Sequence, residues 1–183
     1  MALTGTLDQY ILSSETSGAG LLSFTGSGTS LVAGSTDEGT SGLFSFGFTF
    51  NFNETNYTQI DVSSNGYAQF STITNDYINN LTDVDSRILL APWWDDLRTN
   101  FGITYETQGT TPNQICIIKY SVYSYYTSGS PLFFQIVLYE ATNNIEFRYS
   151  ETCVTNQPSV ASIGAKVNTT AGASGNMRNF LGS

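Results

Sequence analysis

Between positions 44 and 52 a phenylalanine stands at every second residue. Phe44, Phe46, Phe48, Phe50 and Phe52 alternate with Ser45, Gly47, Thr49 and Asn51. Successive side chains of a strand point to opposite faces, so this pattern puts five rings on one side and small or polar groups on the other. A helix would scatter the same rings around its whole circumference. The segment is therefore read as a strand with one aromatic face, and such a face has to be buried against a second layer.

The residues that follow extend the same reading. In YTQIDVSS at 57–64 the alternation turns Ile60 and Val62 inward. Asn65-Gly66 then marks a tight hairpin with positive φ expected at both positions, and GYAQFST at 66–72 returns as the partner strand. Further strands are expected at 87–91, 101–107, 114–126, 132–140, 144–150 and 160–167. Within 114–126, Cys116, Ile118, Tyr120 and Val122 share a face, and Thr142-Asn143-Asn144 joins two strands as a second hairpin. Apart from a turn within 76–85, no ten-residue stretch has helical periodicity, and no internal repeat is visible. About nine to ten short strands separated by turn signals predict an all-β chain, an antiparallel, jelly-roll-like β-sandwich.

Composition supports that class. Charged residues make up 11% of the 183 residues, against roughly 25% in ordinary soluble domains, while aromatics reach 14%. Disorder would need few aromatics and dense charge, and neither holds. The length suits one domain that buries about two thirds of its unfolded surface. Residues 13–42 differ from the rest: they are dominated by Ser, Thr and Gly, with apolar clusters at Leu21, Leu22, Phe24 and at Leu31, Val32. The expected division is a segment 1–40, either edge strands or an extended arm ordered on a neighbouring subunit, and a sandwich domain 41–183. Tyr10, Ile11, Leu21, Leu22 and Phe24 are the candidate assembly contacts of that segment.

Several function classes start at a disadvantage. With no histidine there is no Ser-His-Asp or Cys-His machinery and no imidazole metal site. A net charge of −9 with a pI near 4.1 disfavours nucleic acid, whose phosphates need Lys and Arg, and disfavours anionic lipid. The longest apolar stretch, 88–94, is far short of the ~20 residues of a membrane-spanning helix. Met1 precedes no basic and apolar export pattern, so no secretory signal is expected. Cys116 and Cys153 read as two buried free thiols, with a disulfide between neighbouring strands as the alternative.

Carboxylate clusters are the candidates for chemistry: Asp37-Glu38, Asp83-x-Asp85 and Asp95-Asp96. Paired carboxylates serve glycosidases, and Tyr120, Tyr123, Tyr125 and Tyr126 could supply a sugar-stacking platform. No spacing singles out a catalytic pair, however, and a solvated acidic loop looks the same. Asp83, Asp85, Asp95 or Asp96 could hold a loop calcium, although the EF-hand glycine and bidentate glutamate are missing. Gly26-Ser-Gly28 lacks the lysine of a phosphate loop. No catalytic residue, cofactor or metal is expected. The most distinctive stretch is Ala91-Pro92-Trp93-Trp94-Asp95-Asp96-Leu97, where adjacent tryptophans on opposite sides of an extended backbone would pin a loop to the core. Its aspartates would face water or cap amides. With Asn65 and Gly66, these residues are expected to be structural.

Taken together, Gly47–Asn53, YTQIDVSSNGYAQF at 57–70, ILLAPWWDDL at 88–97, FFQIVLYEATNNIEFRYS at 133–150 and VASIGAKVN at 160–168 carry a resemblance. They resemble a β-sandwich module of nidogen-like extracellular domains, secreted bacterial surface proteins and structural proteins of tailed bacteriophages. The resemblance implies a scaffold role for the NG turn and the Pro-Trp-Trp-Asp-Asp stretch, and no catalytic residues. A short, acidic chain without an export signal is closest to a virion component assembled in the host cytoplasm. The expected function is a non-enzymatic structural protein on the particle surface: a head decoration or cement protein, or a small tail, baseplate or fibre protein. Its expected partners are other virion proteins and further copies of itself. The competing expectation is an adhesin domain binding a host surface glycan.

Overall fold

In the computed structural model the described residues are 20–74, 76–81, 86–125, 129–155, 161–167 and 177–179. Among them are eleven strands: β1 (Thr29–Val32), β2 (Phe44–Phe52), β3 (Thr55–Ser63), β4 (Tyr67–Gln69), β5 (Leu89–Trp94), β6 (Leu97–Gln108), β7 (Ile115–Ser124), β8 (Leu132–Tyr139), β9 (Ile145–Tyr149), β10 (Ser162–Lys166) and β11 (Met177–Asn179). They form two antiparallel sheets, one in the order β1-β6-β7-β8-β9 and one in the order β11-β10-β5-β4-β3-β2. The protein is an antiparallel β-sandwich. One short helix, α1 (Glu151–Thr155), lies in the connection from β9 to β10. At five residues it is too short to leave a period in the sequence.

The core lies between the sheets, where the alternating patterns meet. Phe46, Phe50, Phe52, Ile60 and Val62 come from one side, and Ile118, Tyr120, Val122, Phe134 and Ile136 from the other, all fully buried. Tyr120 stacks on Phe134 at 4.7 Å between ring centroids, and its hydroxyl donates to the Tyr67 carbonyl at 3.0 Å. That bond ties the two sheets together through the one polar atom of the ring. Burying each such large apolar side chain contributes about 1.5–3 kcal/mol.

Three differences from the sequence reading have local physical causes. First, only Gly66 of the Asn65-Gly66 pair takes positive φ, at 78°. The loop has three residues, because Ser63 pairs with Tyr67, and the Gly66 N–H donates to the Ser63 carbonyl at 3.2 Å. In a three-residue hairpin only the last position needs the left-handed region. Second, Pro92-Trp93-Trp94 belongs to β5 and not to a loop. Third, β6 begins at Leu97, and its register with β7 slips between Thr99 and Gly102. Strict alternation from Ile103 would turn Phe101 inward, but this bulge turns it out, to 78% exposure. Of the turn expected at 76–85, residues 82–85 lie outside the described residues.

Candidate functional site

Three segments far apart in sequence converge at one end of the sandwich: the β3–β4 turn, the β5–β6 turn and the loop 33–42. Asn65 joins them. Its buried side-chain carbonyl accepts from the Leu97 N–H at 2.9 Å, and its amide nitrogen donates to both Glu38 carboxylate oxygens at 3.3 and 3.2 Å. Its main-chain carbonyl accepts from the Asp95 N–H at 3.2 Å, and the Gly66 carbonyl accepts from the Trp93 N–H at 3.3 Å. Gly66 is needed for space as well as for φ, since a Cβ there would lie 1.9 Å from the Trp93 carbonyl oxygen. Asp95 and Asp96 form the corner at which the chain passes from the six-stranded sheet to the five-stranded one.

The two tryptophans face opposite ways, as alternation demands. Trp93 packs in the core between the sheets against Phe134 and Tyr149, and Tyr149 donates its hydroxyl to the Pro92 carbonyl at 2.7 Å. Trp94 lies on the outer face, in a second cluster with Tyr67, Ile73, Leu81, Leu89 and Ala91. Its indole N–H donates to the Asp76 carbonyl at 2.9 Å, and the Arg87 guanidinium sits 5.0 Å from its ring centroid. Burial raises the Tyr67 phenol to about 12. The structure thus brings together Asn65, Gly66, Pro92, Trp93, Trp94, Asp95 and Asp96, and each holds backbone or core.

The carboxylates gather here as well. Oxygens of Asp37, Glu38 and Asp96 all lie within 4.8 Å of one another. Partial burial raises the Glu38 carboxyl, the Asn65 bond opposes that, and the charges of Asp37, Asp96 and Asp76 add to the rise. Burial likewise raises Asp95, which accepts from the Asp96 N–H. The acids weighed for a loop calcium divide: Asp96 joins the loop acids Asp37 and Glu38, while Asp83 and Asp85 lie outside the described residues. Of the tyrosines considered as a sugar platform, Tyr120 is buried and Tyr126 lies outside the described residues, whereas Tyr125 is half exposed. Tyr123 lies on the outer face with Arg98 over its ring at 6.0 Å.

Both cysteines are buried and free, Cys116 in the core and Cys153 on α1. Burial pushes the Cys116 thiol up to about 12 and raises Cys153 too, so neither is a nucleophile at neutral pH.

The outer face of the five-stranded sheet carries contacts that the sequence did not announce. Residues 20–26 run across it, held by side chains of three strands. The Gln135 side chain binds Leu22 twice, accepting from its N–H and donating to its carbonyl, both at 2.8 Å. Arg148 donates to the Gly20 carbonyl at 2.7 Å, and Gln108 to the Ser23 carbonyl at 2.9 Å. Glu106 accepts from the Thr25 and Gly26 N–H groups at 2.8 and 2.9 Å and from the Thr25 hydroxyl. Of the candidate assembly contacts, Leu21, Leu22 and Phe24 are half buried against their own chain, and Tyr10 and Ile11 lie outside the described residues. Beside this segment a cavity of about 430 Å³ opens where β1, β2 and β6 meet, lined in part by Ser27, Ser45, Tyr105 and Thr107.

A family model described as NIDO related matches residues 11–179. The chain belongs to the NIDO-related family. The match spans the scaffold knot, the outer-face segment and both sheets of this NIDO-related sandwich. No curated protein and no solved structure matches it.

Proposed function

We propose that this NIDO-related chain is a non-enzymatic structural component of a tailed-phage virion, exposed on the particle surface and acting by protein–protein assembly. Head decoration, cement, tail, baseplate and fibre roles share that mechanism. The observation that carries the reading is the seat on the five-stranded sheet. Gln135, Arg148, Gln108 and Glu106 grip main-chain N–H and C=O groups of residues 20–26. A seat that reads backbone fits the same segment of a neighbouring copy equally well, which is how an extended arm links subunits. Several weak links of this kind add through avidity on a multivalent particle. The scaffold knot has no part in chemistry under this reading. It keeps both sheets rigid while their outer faces meet other protein.

A second reading, an adhesin domain for a host surface glycan, draws on the exposed rings of Tyr77, Phe101 and Tyr125. Mass spectrometry of purified particles, with antibody labelling of intact ones, separates the two. The virion reading expects the chain in stoichiometric amounts and accessible to antibody. Absence from particles, with glycan binding by purified monomer, would replace it with the adhesin.

A further inference from the structure

Phe101 is the most exposed large apolar side chain among the described residues, at 78%. Nothing about its position is loose. The bulge that turns it outward is clamped by the segment following β1. The Thr99 N–H donates to the Thr36 carbonyl at 2.8 Å, and the Thr99 hydroxyl to the Ala33 carbonyl at 2.7 Å. The Ser35 N–H donates to the Thr99 carbonyl at 3.0 Å, and the Thr36 N–H to the Thr99 hydroxyl at 2.8 Å. Two glycines let these backbones meet: a Cβ on Gly102 (φ 102°) would lie 2.4 Å from the Val32 carbonyl, and one on Gly34 would lie 2.6 Å from the Asn100 carbonyl. Bulges of this kind re-aim a side chain and are built into the local fold.

The neighbours of Phe101 on the same face are set by register. Arg98 pairs with Tyr123, its guanidinium over that ring, and Ser121 lies opposite Gly102 and accepts from the Phe101 N–H at 3.4 Å. Half-exposed Tyr125 follows, its N–H bonded to the Asp96 carbonyl at 2.9 Å. Phe, Tyr and Arg presented together are the residue types enriched at the centre of a protein interface, and Lys119 follows Ser121 along the same face. Arg98 has no carboxylate partner among the described residues. It is a free cation on a chain of net charge −9. Asp96, whose carbonyl holds Tyr125, is itself one of the trio Asp37, Glu38 and Asp96.

We propose that the Phe101 ridge is a two-fold interface with a second copy of this chain, in which Arg98 of each copy meets the acidic trio of the other. A two-fold axis makes a surface complementary to itself when it carries both halves of a contact side by side, as this end of the sandwich does. Phe101 anchors the centre, and the charges fix the register and exclude the reversed pairing. The inference rests on the assembly reading, yet the two fail separately, since particle composition tests one and the state of the purified chain tests the other.

Sedimentation velocity of the purified full chain over a concentration series is the test. Dimers are expected, with Phe101→Ser weakening association about thirtyfold and Arg98→Glu about tenfold. Asp37→Lys, which leaves Glu38 and Asp96 to attract Arg98, should weaken it less. Because Arg98 and Asp37 are exposed, these variants should melt as the wild-type chain does at concentrations where it is monomeric. The decisive arm mixes Arg98→Glu with the double variant Asp37→Lys/Asp96→Lys, whose trio is net positive. Each variant alone sets like charges together, whereas in the mixture both cross-interface charge contacts are opposite in sign, and a mixed dimer should form. A wild-type chain monomeric at every concentration, or variants whose mixture stays monomeric, would overturn the interface. Glycan binding that Phe101→Ser abolishes while the chain stays monomeric would also overturn it.

Discussion

On the six-stranded sheet the outer face is closed by apolar packing: Ile73 and Leu81 meet Tyr67, Leu89, Ala91 and Trp94, all buried. On the five-stranded sheet the chain also crosses the outer face, but residues 20–26 are held there by hydrogen bonds from Gln135, Arg148, Gln108 and Glu106 to their backbone. Apolar closure is strong and shape-dependent, so it stays with its own fold. The polar contacts of the other face, each worth about 0.5–1.5 kcal/mol net, read main chain and can be re-made with the same segment of another copy, although Ile117 and Val137 lie buried on that face as well. The same sandwich thus has one sealed face and one negotiable face. Assembly through an arm needs the second kind.

The largest effect should come from breaking the sealed face. Trp94→Ala removes the centre of the second cluster, its bond to the Asp76 carbonyl and the Arg87 contact. A loss of about 3–5 kcal/mol is expected in urea denaturation. Gly66→Ala should come next. Its Cβ would meet the Trp93 carbonyl oxygen at 1.9 Å, in a backbone region that L side chains avoid, and the expected loss exceeds about 1 kcal/mol. A variant at either position that melted like wild type would show that this end of the sandwich yields where its geometry says it is fixed.

These two positions were also the ones most readable from sequence. Period-two alternation places Trp93 and Trp94 on opposite faces of any extended chain, and an Asn-Gly pair after Ile60 and Val62 announces a hairpin. What alternation cannot show is where its own phase breaks. The bulge at 99–102 depends on Thr99, Gly34 and Gly102 meeting across segments distant in sequence, so Phe101 reads as one more inward strand residue until the β6–β7 register is known. The seat for residues 20–26 is hidden for a similar reason. Gln135 and Arg148 look like ordinary outward polar residues of strands, and their partners are main-chain groups 113 and 128 positions away. The acidic trio was half legible: Asp37-Glu38 and Asp95-Asp96 were seen as clusters, and only the fold puts Asp96 beside the other two.

The negotiable face should respond more mildly and more locally. Gln135→Ala deletes both bonds to Leu22, and about 1–3 kcal/mol of local opening should follow. Hydrogen exchange is the measurement that sharpens the contrast. The Leu22 amide should lose protection while the amides of β5 keep theirs. If protection fell equally in both places, the two faces would be one cooperative unit and the arm would not be separable.

Acid should produce the smallest and most selective change. The Thr25 hydroxyl first, opposed by desolvation, and then the Gly26 and Thr25 amides and Gln108 hold the Glu106 carboxyl down to about 2 from an ordinary value of 4.5. A carboxylate whose pKa is lower in the folded state stabilises that state above its unfolded pKa and loses the contribution as pH falls toward the folded value. The grip on residues 25 and 26 is therefore complete above about pH 4.5 and released by about pH 2. Glu106 lies half-buried at the surface, so the release should show in the exchange of those two amides and hardly at all in global stability. Glu106→Gln should make the two amides exchange faster at neutral pH and remove their pH dependence. Acid loosening of Thr25 and Gly26 that persisted in Glu106→Gln would place the sensitive group elsewhere. Loosening of the Trp94 side over the same range would erase the distinction between the two faces.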